Sequence, residues 1–146
     1  MVQGRVVSDI KEQEAVRDIF RKVSLCLQET EEKDSLIQVL AYEGVSDLCP
    51  VAAGCMRLGE EMARLLAVAV LPEYRGKSYG ELLIRMLIDK AKTGGIQRME
   101  VNCESNMTAY FRKLGFKSVD NTEINGNTVT KLIYNIGDRT CCCKTI

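Results

Sequence analysis

Leu65-Leu66-Ala67-Val68-Ala69-Val70-Leu71-Pro72-Glu73-Tyr74-Arg75-Gly76-Lys77-Ser78-Tyr79-Gly80, set within residues 62–93, is the stretch that decides the fold. The apolar run 65–71 reads as a buried strand, and Pro72 ends it because proline cannot donate to a ladder. Downstream, Leu82, Leu83, Met86, Leu87 and Ala91 fall on one face at 3.6-residue spacing, the mark of an amphipathic helix. Gly94-Gly95 supplies its C-terminal stop. Between strand and helix, small residues at 76–80 let backbone N–H groups point into open space at a helix N-terminus. Unpaired N–H groups and the helix dipole both favour negative charge there. Arg75 and Lys77 add positive charge at the same place, so a pyrophosphate is the expected guest.

Spacing separates the motifs that use such a turn. A Walker A loop needs Gly-x-x-x-x-Gly-Lys-Ser/Thr; Gly76-Lys77-Ser78 matches its end, but its first glycine would fall at Leu71. A dinucleotide fingerprint needs Gly-x-Gly-x-x-Gly, whereas glycines stand only at 76 and 80. The run Val70-Leu71-Pro72-Glu73-Tyr74-Arg75-Gly76-Lys77-Ser78-Tyr79-Gly80 resembles the acyl-CoA-binding motif of the GNAT (GCN5-related N-acetyltransferase) superfamily, Arg/Gln-x-x-Gly-x-Gly/Ala. One departure stands out: the middle glycine of the motif is Ser78, which restricts the backbone angles. A second stretch, Phe111-Arg112-Lys113-Leu114-Gly115-Phe116, resembles the family's Tyr-x-Lys-Leu-Gly-Phe signature.

Composition bounds the reading. The chain has 146 residues, enough for one domain with a sizeable core. Its 20 basic residues balance 20 acidic ones, which argues against bulk attraction to nucleic acid. No apolar run reaches membrane-spanning length and no signal-peptide pattern is visible, so neither a membrane nor a nucleic acid is an expected partner. Seven cysteines at irregular spacing suit reduced thiols in the cytoplasm. The absence of histidine excludes Ser-His-Asp and Cys-His catalysis and His-ligated metal sites. No metal is expected. A general base must then be a carboxylate, tyrosine, lysine, thiol, main-chain group or relayed water.

In chain order, residues 4–8 read as an opening strand. Asp9-x-x-Glu12 resembles a capping box, and Val16, Ile19, Phe20, Val23 and Leu27 form a helical stripe through 10–28. Residues 28–35 form an acidic stretch, read as a solvated loop or as a rim that attracts a cationic amine. Strands follow at 36–43 and 51–58, with Gly54 marking a bulge or a close contact. Gly59-Glu60 suits a two-residue hairpin turn into strand 61–71. Residues 97–103 read as a strand parallel to it, because a helix crosses over between them. Ser105 would cap a short helix that stops at Gly115. A closing hairpin runs from 117 to 135, with Asn121 and residues 125–127 as turn residues and 128–134 strongly β-prone.

The resemblance implies a GNAT-like α/β (α+β) fold: a mixed, mostly antiparallel sheet splayed between its fourth and fifth strands, with helices on both faces. It implies one acyl-CoA N-acyltransferase domain over 1–137, followed by a Cys-rich, poorly ordered tail over 138–146. Acetyl-CoA is the implied cosubstrate, a small-molecule or protein amine the acceptor, and a homodimer the assembly. Val68, Ala69, Val70, Arg75, Gly76, Lys77, Ser78, Tyr79, Gly80, Asn106 and Phe111 are the implied cofactor-binding residues, with Lys77, Arg112 and Lys113 as cations for the CoA phosphates. Many family members carry, where this chain has Phe111, a tyrosine assigned as the acid that protonates the CoA thiolate. Here Tyr110, Cys103 or a water would have to serve. Family members often place a glutamate on the central strand as base, yet positions 63–70 hold no carboxylate. Glu104 is the first choice, with Glu100 beside it. Two other readings remain open: an acyl-CoA-binding sensor without turnover, and a nucleotide-phosphate protein using Gly76-Lys77-Ser78.

Overall fold

The computed structural model describes residues 2–22, 36–44, 49–124 and 126–136. Among these residues, seven strands and three α-helices follow one another as β1 (Val2–Val6), α1 (Ile10–Lys22), β2 (Leu36–Glu43), β3 (Cys49–Leu58), β4 (Met62–Val70), α2 (Tyr79–Thr93), β5 (Arg98–Glu104), α3 (Thr108–Lys113), β6 (Lys117–Ile124) and β7 (Asn127–Asn135). The hydrogen-bonded order is β1-β2-β3-β4-β5-β7-β6. This is the mixed, mostly antiparallel sheet expected of the sequence. Two compact units divide the chain: residues 1–57 with 66–90, and residues 58–65 with 91–146. Among the described residues, no helix is long and apolar enough to cross a membrane.

In the first unit, β1 pairs antiparallel with β2, and β2 with β3. Helix α1 starts where Asp9 Oδ1 accepts the Glu12 N–H at 2.8 Å. Glu12 reaches back to the Ser8 N–H, one residue earlier than in a standard capping box. Val16, Ile19 and Phe20 of α1 are buried against Leu40, Ala53, Cys55 and Ala69. Val23 and Leu27 lie outside the described residues, as does the acidic stretch 28–35. On the other face, the space where a Gly54 side chain would stand is filled by Val39, Val68 and Leu87, each 3.4–3.5 Å from an ideal Cβ. Gly54 is therefore a close contact with α2. The bulge falls elsewhere, between Ala41 and Tyr42. Helices thus cover both faces of this unit's strands. The buried side of α2 is Leu83, Ile84, Leu87 and Ala91, with Leu82 and Met86 at its margin.

In the second unit, β4 pairs parallel with β5 over Met62–Leu65 and Arg98–Val101. The parallel direction follows from the helical crossover. Helix α2 ends with Ile96 N–H bonding Ala91 O and Gly95 N–H bonding Lys92 O, the paired bonds of a Schellman stop. Helix α3 ends the same way at Gly115, through Phe116 N–H to Phe111 O and Gly115 N–H to Arg112 O. Phe111 meets Phe116 edge to face at 5.4 Å, and Phe116 meets Tyr134 at a tilt at 5.3 Å, beside α3.

Four local expectations need correction. The connection between β3 and β4 takes three residues, Gly59 to Glu61, because the Gly59 N–H bonds Met62 O at 2.9 Å. Ser105 is no cap. It opens a 3-10 turn whose cap position is Glu104, and its carbonyl accepts the Thr108 hydroxyl. Asn121 sits inside β6, where its Oδ1 accepts the Thr130 hydroxyl at 2.8 Å. The opening strand lies at Val2–Val6, ahead of the expected 4–8. The tail 137–146, with its three cysteines, and Asn125 lie outside the described residues.

Candidate functional site

The loop after β4 is built from the backbone. Pro72–Tyr74 make one 3-10 turn, so Tyr74 N–H bonds Leu71 O at 2.9 Å and the chain swings away from the sheet. Arg75 returns to extended geometry, φ −71° and ψ 153°, and its Nε donates to Val70 O at 3.1 Å. Gly76 then takes φ +85°, with nothing within 4 Å of where a side chain would start. Ser78 takes φ 65°, the glycine-like value of the motif position it occupies. The first helical bond of α2 runs from Leu82 N–H to Ser78 O at 3.1 Å. The N–H groups of Tyr79, Gly80 and Glu81 therefore head the helix without an intrahelical acceptor. Open space at Gly76, orphan N–H groups and an exposed Arg75 beside them fit an anionic phosphate group.

Two further side chains of the loop are already engaged. Tyr79 is buried, 4% exposed, and its hydroxyl donates to Glu43 Oε2 at the end of β2. Lys77 Nζ stands 3.5 Å from Glu43 Oε1 and 5.4 Å from the centre of the Tyr74 ring. The bond to Glu43 pushes the Tyr79 phenol up to about 12. The same hydroxyl, followed by Lys77, holds the Glu43 carboxyl below its ordinary value. Sequence reasoning missed Glu43 altogether. Upstream of the loop, Ala69 is buried, and Val68 and Val70 are half-buried.

The second unit carries the remaining candidates. Glu104 ends β5, exposed, at the cap position of the 3-10 turn that holds exposed Asn106. Tyr110 is half-buried on α3, its ring edge-on to Phe111 at 5.4 Å. Phe111 is buried in the aromatic cluster, so its ring supports the helix and has no hydroxyl to offer. Arg112 donates from Nε and Nη2 to Ser118 Oγ at 3.1 and 2.9 Å. Burial raises the Cys103 thiol, which makes its thiolate scarcer. Glu100 is 4% exposed although it shares a sheet face with the half-exposed Arg64 and Lys131. Its Oε1 lies 3.7 Å from Arg64 Nη2 and 3.5 Å from Lys131 Nζ, within ion-pair range but without a hydrogen bond. That carboxylate is already committed to two cations. Among the described residues, no cluster of three or more His, Cys, Asp or Glu could hold a metal ion.

A strand–loop–helix unit whose loop takes left-handed angles at Gly76 and Ser78, set in a seven-stranded mixed sheet, defines an α/β protein. The model of the acetyltransferase (GNAT) family matches residues 8–116, and the chain belongs to that family. Among curated relatives it is 27% identical over 93 residues, 61% of this chain, to the uncharacterized N-acetyltransferase CgeE of Bacillus subtilis. It is 37% identical over 60 residues, 40% of this chain, to the ribosomal protein bS18-alanine N-acetyltransferase of Haemophilus influenzae. The chain spans 36% and 41% of the length of these two relatives. Its fold is similar to that of a Lactobacillus plantarum protein assigned as an N-acetyltransferase, at TM-score 0.78 and 14% identity over 92% of this chain and 98% of that one. It is also similar to an aminoglycoside 6'-N-acetyltransferase complexed with coenzyme A, at TM-score 0.73 and 12% identity over 93% and 97%.

Proposed function

We infer that this chain is an N-acetyltransferase that moves an acetyl group from acetyl-CoA to an amine, the acceptor being a small molecule or a protein amine. The observation that carries this reading is the loop at 75–80. It adopts left-handed angles at Gly76 and Ser78 and leads into the N-terminus of α2, in a chain that belongs to the GNAT family. A nucleotide-phosphate protein would need the first glycine of a Walker A loop, and Leu71 stands there. The thiol-rich composition suits a reducing, cytoplasmic setting.

In this reading the N–H groups of 76–80 and the Arg75 guanidinium hold the pyrophosphate. Main-chain groups of Val68, Ala69 and Val70 hydrogen-bond the pantetheine arm as an added strand would, and one of their N–H groups steadies the thioester oxygen as negative charge develops. The neutral amine attacks the carbonyl carbon. A C–N bond forms, the C–S bond breaks, and no covalent enzyme intermediate is required. Glu104 takes the proton lost by the amine nitrogen. The CoA thiolate takes a proton from the Tyr110 hydroxyl, which recovers one from water. Asn106, in the turn between these two residues, orients the pantetheine amides, and Phe111 fixes the α3 backbone on which Tyr110 rides.

Calorimetric titration of the reduced protein with acetyl-CoA, CoA and ATP–magnesium tests the reading. Binding of acetyl-CoA and CoA, lost in an Arg75→Ala/Gly80→Asp variant, is the expected result and opens an amine screen. Preference for ATP, or no CoA binding, overturns it. Binding without transfer to any amine in a broad panel would favour the sensor reading.

A further inference from the structure

Lys77, Ser78 and Tyr79 share an arrangement that phosphate binding alone leaves unexplained. Ser78 is the one non-glycine residue among the described residues with positive φ, at 65°. An L-residue with a Cβ is disfavoured there by sterics that glycine escapes. Both of its neighbours reach the same carboxylate, that of Glu43. Tyr79 donates its hydroxyl to Oε2, and Lys77 Nζ lies 3.5 Å from Oε1. The two contacts differ in exposure: the Lys77 side chain is 51% exposed and that of Glu43 28%. The Tyr79 side chain is buried, and Lys77 also stands over the Tyr74 ring. Glu43 itself is paired in the sheet, opposite Cys49 on β3 and Val2 on β1. A residue whose two neighbours are pinned to one fixed point has little freedom in its own φ and ψ. Strained backbone persists when its surroundings over-determine it in this way.

We propose that Glu43 is a positioning residue of the acyl-CoA site, whose carboxylate clamps Lys77 and Tyr79 and so holds Ser78 in the left-handed turn that a glycine would adopt unaided. This rests on the acyl-CoA reading of the loop. It assigns Lys77 to the clamp and leaves phosphate contact to Arg75 and the main-chain N–H groups. It also explains how the family's loop survives a serine at its middle glycine: the missing conformational freedom is replaced by a tether from β2.

Four proteins test the proposal: wild type, Glu43→Gln, Ser78→Gly and the double variant. Acetyl-CoA Kd is measured by calorimetry and unfolding by urea. Glu43→Gln should weaken acetyl-CoA binding about tenfold, the loss expected when a strained backbone is no longer held. Ser78→Gly alone sets the reference for rescue, and the double variant should bind within about threefold of it. Tyr79→Phe, which removes one hydroxyl, should show the same loss and the same rescue by Ser78→Gly. Rescue is the readout that a merely stabilising contact would not produce. A double variant as weak as Glu43→Gln overturns the clamp. If wild type binds no acetyl-CoA, the acyl-CoA reading fails, and the urea midpoints judge the clamp by themselves. Non-additive effects of Glu43→Gln and Ser78→Gly then support it, and additive effects overturn it.

Discussion

Replacing Gly115 by alanine should unfold this protein at a distinctly lower temperature. Gly115 ends α3 at φ +107°, and an added Cβ would lie 2.9 Å from Tyr134 Cε2 and 3.4 Å from Cδ2. The Tyr134 ring cannot simply step aside, because it is buried and packed at a tilt against Phe116, ring centres 5.3 Å apart. Two penalties therefore act together. The left-handed backbone costs about 1–2 kcal/mol for a residue with a Cβ, and forced overpacking costs about 1–3 kcal/mol. A small gain from a stiffer unfolded chain, about 0.4–1 kcal/mol, offsets part of this. A net loss of about 2–4 kcal/mol is expected, or a fall of about 10 °C in midpoint for a chain of this size. Gly126→Ala is the control. It has φ +81° but nothing within 4 Å of its would-be Cβ, so only the backbone penalty remains and a fall of about 3 °C is expected. Both variants can be compared by differential scanning calorimetry and urea titration. Equal shifts would refute the reasoning, since they would mean that the Phe116–Tyr134 contact yields freely and the end of α3 is not fixed by it.

Asp9→Ala, which removes the acceptor 2.8 Å from the Glu12 N–H, should lower the urea-derived stability by about 1 kcal/mol, whereas Asp9→Asn should retain most of it. Tyr79→Phe should flatten stability against pH at both ends. The depressed Glu43 carboxyl contributes fully above its ordinary 4.5 and loses that contribution as pH falls through its lower folded value. The elevated Tyr79 phenol contributes fully below its ordinary 10.0 and loses that contribution as pH rises through about 12. Thermal midpoints of wild type and variant across these two windows check the sign. Among the three cysteines of the described residues, thiol labelling followed by peptide mapping should modify exposed Cys49 before half-buried Cys103. Cys55 should react only on unfolding, because burial raises its thiol to about 12.

The central strand–loop–helix was legible because its signals are local. An apolar run, a proline, a cluster of small residues and a 3.6-residue stripe each act within a few positions. The parallel direction of β5 followed from the helix between the strands, and the Gly95 and Gly115 stops from a single residue each. What the sequence hid lies in contacts made at long range. Glu43 meets Tyr79 across 36 positions, and nothing near either residue announces it. Glu100 reads only as a strand acid beside Glu104, yet it is buried on a sheet face that also carries Arg64 and Lys131, drawn from two neighbouring strands. Asn121 has a turn former's propensity, but in β6 a hydrogen bond from Thr130 gives its amide a partner within the ladder. Ser105 failed as a cap because its own carbonyl, and not its hydroxyl, meets the next turn.

The small side chains of β4 limit which groups that strand can acquire. Ala67 and Ala69 pack with the α1 core, and Val68 stands in the gap left by Gly54 beneath Leu87. A carboxylate introduced at 67 or 69 would be driven into an apolar layer, and one at 68 would collide with the sheet–helix contact. Acquiring a central-strand base would thus require hollowing out the core on one side or the other, several substitutions before any benefit. An exposed strand end such as Glu104 can change residue and leave the packing untouched.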